Sequence, residues 1–495
     1  MAFCKRWAFL DELDDPTDDP RRRLAEVEDE EILLQDQLSK GLKQNGGLFQ
    51  QINAQPSPLL RLPFDVLSEI SLAAFPRDDI GAWGSDTPLL LGSICRTLRE
   101  FTWATSKLWC TIPVNVFGRY RPSKVSLLKE WLSRSQKSPI SIFLNLAKPV
   151  EFLDSDIMWD IMDIVAHCSE RWYHISLDTP YFFDGQNCFI PEGFSQLHSL
   201  QILHQSRNFP RGLEVFEHAP VIRKVTLQAY MGILLPVNSL SHLRLEYAFL
   251  SDCLMLLQRH PNLTQCIFES IYNRHADGNE LLQVVNAPSL QILDLTFAFG
   301  HYQIVTSLFD NISAPALHKL KLTMGRNPLP RHNFISFLER SSCQLSQFDI
   351  YECGSTEEVL VDCIAAMPSL TELGFRNIVG TYTMHSLTLD PNYEYSPAVL
   401  LPNLTHLSLT ITENDIFDFA AFLKMVRSRR QPTTNYPEEG NGFNESSKYE
   451  HVAKINTITI KPLRRNAVEF IGAKIDQLRE IEGLEVRVRT MDWYS

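Results

Sequence analysis

The sequence predicts a repeat protein of mixed α/β class, in which short strands alternate with helices after a separate N-terminal group of helices. Three observations support this prediction. A leucine-spaced strand pattern recurs from residue 172 onwards, helix-spaced apolar segments lie between its copies, and two short apolar stretches precede the repeats. Because 495 residues are too many for one compact core, we expect two or three units.

The strand pattern has the general form P-x-L-x-x-L-x-L, with other apolar residues at some leucine positions. Its eleven copies are WYHISL (172–177), LHSLQI (197–202), PVIRKVTL (220–227), LSHLRL (240–245), PNLTQCIF (261–268), PSLQILDL (288–295), PALHKLKL (315–322), QLSQFDI (344–350), PSLTELGF (368–375), PNLTHLSL (402–409) and INTITI (455–460). Most intervals between copies are 18 to 28 residues. This period is typical of a leucine-rich-repeat solenoid with one strand per repeat, which we place at residues 138–495.

The segments between the strands have helical periodicity. CLMLLQRH, NFISFLER and EEVLVDCIAAM are examples, each with apolar residues at i, i+3 and i+4. One strand–helix unit cannot bury its own apolar face, so neighbouring units must stack, with the strands on the concave side. A polar run at about 427–451, rich in Pro, Gly and Asn, is predicted to be a disordered insertion.

The N-terminal region divides into three predicted segments. Residues 1–20 are rich in Asp and Pro and are expected to be disordered, residues 21–44 to form an amphipathic helix, and residues 45–58 to form a linker. The helix carries an apolar stripe at heptad-like spacing, interrupted by Glu31: Leu24, Val27, Leu34 and Leu38. The stripe predicts self-association through residues 21–44. Alternatively, the helix packs on its own chain or stands in solvent.

Charge and composition argue against some classes of partner and indicate the cellular compartment. A formal net charge of −13 argues against binding nucleic acid through a general basic surface. No apolar run is long enough to span a bilayer, so we expect no membrane insertion. The ten cysteines form no CxxC pair, which favours free thiols in a reducing compartment, cytoplasmic and/or nuclear.

A search for catalytic motifs finds none. The sequence has no G-x-x-x-x-G-K-[ST] phosphate loop, no H-E-x-x-H zinc motif and no G-x-S-x-G nucleophile elbow. We therefore expect no catalytic residue, no metal and no cofactor. The alternative is an enzyme with an unfamiliar site on the concave face, which would require a deep pocket with convergent titratable groups.

The strand residues between the leucines are expected to face the concave side, because side chains alternate along a strand. Both signs of charge occur there, which favours protein recognition. The predicted substrate-binding residues are Arg244, Glu246, Asp294, Lys319, Lys321, Asp349, Tyr351, Glu372 and Arg376. Lys319 and Lys321 would meet an acidic or phosphorylated segment, or would instead pair with Asp294 and Asp349 on the flanking strands.

The stretches ahead of the repeats are LPFDVLSEI (62–70) and PLLLGSICRTLREFTWATSKLW (88–109). Pro63 suits the first turn of a helix, where its missing N–H is harmless. Two such short helices cannot bury all of their apolar side chains between them, which predicts a partner.

These stretches resemble an F-box, which we place at residues 59–113. The first is similar to the family's L-P-x-E-[IV]-L-x-x-I opening, and the second to its P-L-x-L-x-x-V-C-[RK]-x-W-R second half. Over residues 21–495 the chain resembles the F-box proteins of mushroom-forming fungi, with a heptad-like helix before the F-box and irregular leucine-rich repeats after it. Leu98 stands where the family motif has tryptophan, and residues 75–87 form a longer connection.

The resemblance implies a non-catalytic substrate receptor of a Skp–cullin–F-box ubiquitin ligase. The F-box would bind the Skp adaptor, and through it a cullin, while the repeats would hold a protein substrate. The implied adaptor-binding residues are Leu62, Pro63, Val66, Leu67, Ile70, Leu91, Ile94, Cys95 and Leu98. The alternative is a leucine-rich-repeat scaffold that acts outside any ubiquitin ligase.

Overall fold

The computed structural model describes most of the chain. The described residues are 27–41, 58–74, 87–115, 123–145, 155–178, 193–203, 214–230, 232–273, 283–376, 380–389, 399–411, 418–430, 451–462, 472 and 474–489. The predicted disordered N-terminus, nearly all of the predicted linker and insertion residues 431–450 lie outside the described residues.

The chain divides into two compact units. The first comprises Met1–Pro76 with Leu89–Thr105, and the second comprises Arg77–Pro88 with Ser106–Ser495. The described residues of the first unit form helices and short connections, and the second unit holds every described strand.

The described residues of the first unit form four short α-helices. These are α1 (27–41), α2 (Phe64–Ala74), α3 (Thr87–Ile94, of which Leu89–Ile94 belong to this unit) and α4 (Arg96–Ala104), with a 3-10 turn at Pro58–Arg61. Cys95 separates α3 from α4, because its backbone is extended and its Sγ accepts a hydrogen bond from Leu98 N at 3.5 Å. It therefore acts as the N-cap of α4.

The second unit is built on one parallel sheet of 14 strands that is not closed. Its strands, in spatial order, are β1 (Thr111–Asn115), β2 (Ile140–Asn145), β3 (Trp172–Asp178), β4 (Ser199–Ile202), β5 (Lys224–Ala229), β6 (His242–Tyr247), β7 (Gln265–Ile271), β9 (Ile292–Phe297), β11 (Lys319–Thr323), β12 (Gln347–Tyr351), β13 (Glu372–Arg376), β14 (His406–Ile411), β15 (Thr457–Pro462) and β16 (Glu485–Val488). Two short strands, β8 (Val285–Asn286) and β10 (Ile312–Ser313), form a separate parallel pair.

Helices connect many of these strands, as parallel pairing requires. They are α5 (Ser123–Arg134), α6 (Ser155–Ala166), α7 (Leu250–Arg259), α8 (Tyr302–Asp310), α9 (Arg331–Ser341), α10 (Glu357–Ala365), α11 (Thr381–Leu387), α12 (Phe419–Arg430) and α13 (474–479). Short 3-10 helices occur at Ser106–Trp109, Ser169–Arg171 and Glu214–His218. No helix in the described part of the chain is long and apolar enough to cross a membrane.

The core lies on one face of the sheet. Leu320 of β11 is paired in register with Leu293 of β9 and Phe348 of β12, and all three side chains are buried. The residues between them on each strand are polar and largely half-buried. This alternation follows from the two-residue period of a strand, so one face packs and the other, which we call the open face, carries the polar side chains.

Hydroxyl side chains link successive repeats just before the strands begin. The Thr264, Thr371 and Thr405 hydroxyls donate to the main-chain oxygens of Ser241, Ser346 and Thr371 at 3.0, 3.0 and 3.2 Å. These threonines occupy one position of the P-x-L-[ST] turn, so the recurring residue type reflects a recurring hydrogen bond. Each of these carbonyl oxygens also accepts main-chain N–H groups of the next repeat, so the hydroxyl adds a further hydrogen bond at the strand entry.

The predicted repeat architecture is confirmed, because all eleven sequence copies contain a strand of the parallel sheet. Two boundaries differ from prediction. The sheet begins at Thr111, before the predicted start at residue 138. Strand β1 was not predicted because it lacks the leucine spacing used to find the other strands. Helix α12 continues to Arg430, so residues 427–430 are not part of a disordered insertion; Arg429 is buried there by hydrogen bonds to three carbonyl groups.

Candidate interaction surfaces

The helical unit has a small core of its own. Leu67 of α2 and Leu98 of α4 are 6% and 5% exposed, and Phe64 contacts Phe101 edge-to-face with 5.0 Å between ring centroids. Leu67 and Leu98, two of the implied adaptor-binding residues, are therefore buried in this core and do not lie on an exposed apolar face. Short helices become stable only by packing, so each must direct at least one large apolar residue at its neighbours.

Helices α3 and α4 approach each other closely at Gly92. A Cβ atom at position 92 would overlap the ring of Trp103, and Arg99 Nε donates to Gly92 O at 2.8 Å. Trp103 is thus packed on a helix that has no side chain at this point. The glycine inside an apolar helical stretch was the sequence signal for this close approach.

The other predicted adaptor-binding residues differ in how much of each is exposed to solvent. Val66, Ile70 and Ile94 of the predicted adaptor set are exposed, as is Pro63, whereas Leu62, Leu91 and Cys95 are half-buried. Val66 and Ile70 share one face of α2, since they are four residues apart.

On α3, Leu90 and Ile94 stand in the same i, i+4 relation and are 60% and 67% exposed. Leu90 was absent from the predicted set, although the helical period places it with Ile94. Helices α2 and α3 therefore each present exposed apolar side chains.

Helix α1 is also exposed. Val27, Leu34 and Leu38, the described members of its predicted stripe, are exposed, and so are Ile32 and Leu33 on other sides of the helix. Leu24 and the ends of the predicted 21–44 segment lie outside the described residues. Among the described residues of α1, apolar side chains are thus distributed around more than the predicted heptad stripe.

The open face of the sheet holds the predicted substrate-binding residues. Lys321 Nζ lies 2.7 Å from Asp294 Oδ2, so the alternative in which this lysine pairs across strands is the one observed. The Lys321 ammonium also lies 5.9 Å from the centroid of the Tyr351 ring. Lys319 forms no ion pair with any residue that the structure describes.

Other charges on this face are paired with residues outside the predicted set. Arg244 Nη2 lies 3.0 Å from Glu269 Oε1, and Arg376 Nη2 lies 3.3 Å from Glu352 Oε1. Burial raises the pKa of Glu246, although Arg244 opposes the shift. Half of the eight charged residues in the predicted set, namely Arg244, Asp294, Lys321 and Arg376, are therefore in ion pairs.

One buried carboxylate of the open face lies on β12. Asp349 is 8% exposed, and Gln347 Nε2 donates to its Oδ2 at 2.8 Å. Burial raises the pKa of Tyr351, and the carboxylates of Asp349 and Asp294 add to this shift. Gly374 of β13 is the register partner of Asp349. Because Gly374 has no side chain, the open face has a gap beside Asp349. The leucine-based pattern did not reveal this gap.

No protein-family model and no curated protein matches this chain.

Proposed function

We propose that the chain is the substrate-recognition subunit of a Skp–cullin–F-box ubiquitin ligase, acting in the cytoplasm and/or nucleus. The observation that carries the proposal is the exposure of Val66, Ile70, Leu90 and Ile94 on two short helices whose sequence resembles the F-box motif. The Skp adaptor would cover these side chains, which water otherwise surrounds at unfavourable free energy.

The sheet would supply the second binding surface. Its open face carries both signs of charge together with hydroxyl, amide and aromatic groups, a mixture suited to a protein partner. The receptor would contribute no chemistry of its own. It would hold a substrate close to a ubiquitin-conjugating enzyme and so raise the effective concentration of the reacting groups.

Adaptor binding tests the proposal with variants in exposed positions. We expect Ile94→Asp to weaken binding of purified full-length protein to the Skp adaptor at least about tenfold, since a charge placed in a buried interface is strongly unfavourable. Isothermal titration calorimetry would measure the affinity, and circular dichroism the melting temperature. The melting temperature should change little because Ile94 is exposed.

The matched control is Leu127→Asp, which places the same charge at an exposed leucine on α5. It should leave adaptor binding unchanged. Leu67→Asp does not serve as a test, because Leu67 is a core residue whose loss would unfold the helical unit. Equal adaptor affinity of Ile94→Asp and the unaltered protein would contradict the proposal. Binding of protein partners without any adaptor would instead favour a scaffold outside the ligase.

A further inference from the structure

Asp349 occupies an unusual position on the open face. Its register partner on β13 is Gly374, and a Cβ atom at position 374 would overlap Asp349 Oδ1. The carboxylate therefore lies across the neighbouring strand, over the one place where that strand has no side chain. Any residue larger than glycine at position 374 would displace it.

This carboxylate has no counter-charge among the described residues. Gln347 is its one hydrogen-bond donor there, and the donated bond goes to Oδ2, which leaves Oδ1 without a partner. Of the cations on the two flanking strands, Lys321 is paired with Asp294 and Arg376 with Glu352, and Lys319 forms no ion pair with any described residue. An unpaired charge with only 8% of its residue exposed is energetically unfavourable unless a cation joins it.

Two donors beside Gly374 also lack acceptors. Arg376 follows it by two residues on the same face, and Thr410 is the register partner of Arg376 on β14. Neither Arg376 Nε nor Thr410 Oγ1 has a hydrogen-bond partner, and Thr410 is only 4% exposed. Buried polar groups are normally satisfied, so these two unsatisfied donors beside the Asp349 carboxylate indicate a missing ligand.

We propose that Asp349, lying over Gly374, is a subsite for the cationic side chain of a lysine or arginine in a bound protein segment. The ammonium or guanidinium group would bind Asp349 Oδ1. Arg376 Nε and Thr410 Oγ1 are shielded in the unbound protein, so their side chains would have to turn outward to donate to a main-chain carbonyl of the same segment. This inference rests on the proposed use of the open face for substrate and is independent of the adaptor.

The charges around the subsite favour a cation over an anion. Asp294, Lys321 and Asp349 lie side by side on β9, β11 and β12, and Lys321 is paired with Asp294, so the negative charge of Asp349 is left over. Glu372, diagonal to Asp349 on β13, forms no ion pair with any described residue either. A phosphorylated or acidic segment at this point would meet two uncompensated carboxylates.

Selection from a library of random 12-residue peptides displayed on phage tests the subsite, with immobilised full-length protein as the target. Peptides selected by the unaltered protein should carry a lysine or arginine at one preferred position. Changing that residue to glutamine should weaken binding to the unaltered protein about tenfold or more. The same change should have less than a twofold effect on binding to Asp349→Asn, since a double-mutant cycle isolates the pair.

Two further variants complete the test. Asp178→Asn makes the same change on the same face, on strand β3, and should retain the basic preference. Gly374→Ala should weaken the selected peptide because it displaces the carboxylate. Asp349→Asn should melt no lower than the unaltered protein, since an unpaired buried charge is removed.

A selection that yields no binder, binders without a basic preference, or the same preference with Asp349→Asn would overturn the inference. Adaptor affinity measured on Asp349→Asn separates the two proposals. If the peptide results fail while Ile94→Asp still loses the adaptor, the subsite is wrong and the ligase role stands. If the basic preference is found but the protein binds no adaptor, the subsite stands and the ligase role is wrong.

Discussion

His174 shows how one titratable residue can tie stability to pH. It lies on β3 with its ring 4.9 Å from that of Phe143, and its Nε2 atom is buried without a hydrogen-bond partner. Its register partners on β2 and β4 are Ser141 and Ser199, which bring no charge. Burial lowers the pKa of His174 from 6.5 to about 4, because the protonated form would lose its hydration.

We predict that His174 makes the protein less stable as pH falls from 6.5 towards 4. In that window the unfolded chain binds a proton at this residue and the folded chain does not, so protonation favours unfolding. Between pH 7 and pH 5 the share due to His174 is about 2 kcal/mol. Urea unfolding at both pH values should show a loss smaller by about this amount in His174→Gln.

His332→Gln, at an exposed position on α9, is the matched control for that measurement. Equal losses of stability in His174→Gln and the unaltered protein between pH 7 and pH 5 would contradict the role assigned to His174.

At the scale of elements, arginine side chains connect each of several helices to the repeat before it. Arg340 near the end of α9 donates to Ile312 O at 2.8 Å and to Phe309 O, where α8 ends. Arg171 donates to Ser138 O at 3.1 Å beyond the end of α5. Carbonyl groups at helix C-termini have no partner in their own helix, and a guanidinium group from the next repeat supplies one.

Arg429 is the most buried example. It is 2% exposed and donates to Leu387 O at 2.7 Å, to Leu401 O at 2.9 Å and to Leu400 O. It thereby connects α12 to the end of α11 and to the chain that leads into β14. Burial lowers the pKa of Arg429 to about 10, which still leaves the group charged at neutral pH.

We predict that Arg429→Met lowers the free energy of unfolding by about 3 kcal/mol or more. The substitution removes three charge-assisted hydrogen bonds and leaves buried carbonyl groups unsatisfied. Arg427→Met, an exposed arginine on the same helix, should stay within about 0.5 kcal/mol. Urea unfolding at pH 7 would measure both, and similar values for the two variants would contradict the role assigned to Arg429.

At the scale of the repeat unit, stability is distributed along the sheet. Within the 14-stranded sheet, each strand pairs only with the strands of that sheet that precede and follow it along the chain. The two edge strands are poor templates for further pairing. β1 contains Pro113, which has no N–H, and β16 exposes Glu485 and Arg487 as an ion pair 2.7 Å apart.

We predict a local effect for Leu322→Ala in β11. Leu322 is fully buried between Leu295 and Ile350, so its truncation should destabilise by about 2–5 kcal/mol. Because coupling in such an array acts between neighbours, protection against hydrogen exchange should fall most in β9 to β12 and least in β1 and β2. Exchange followed by mass spectrometry would show this gradient, and a uniform loss over all described strands would contradict it.

Much of the fold was predictable from local patterns. The leucines at i, i+3 and i+5 of each copy placed eleven strands, and the apolar spacing of segments such as NFISFLER placed the helices between them. Thr111–Asn115 was missed because TIPVN is too short and contains proline. The predicted boundary between helix α12 and the insertion came too early because RSRR is polar. Arg429 is nevertheless buried, and the carbonyl groups that it binds are about 28 to 42 residues away in sequence.

The sequence by itself determined which strand residues face the core and which face the open side, because that depends only on the two-residue period of a strand. Only the tertiary structure decided which polar residues meet. Lys321 and Asp294 are 27 residues apart, and the parallel register brings them to 2.7 Å. The same register lays Asp349 over Gly374 and leaves its carboxylate without a cation. Leu67 and Leu98 likewise became core residues through contacts between helices, which no period along one helix can specify.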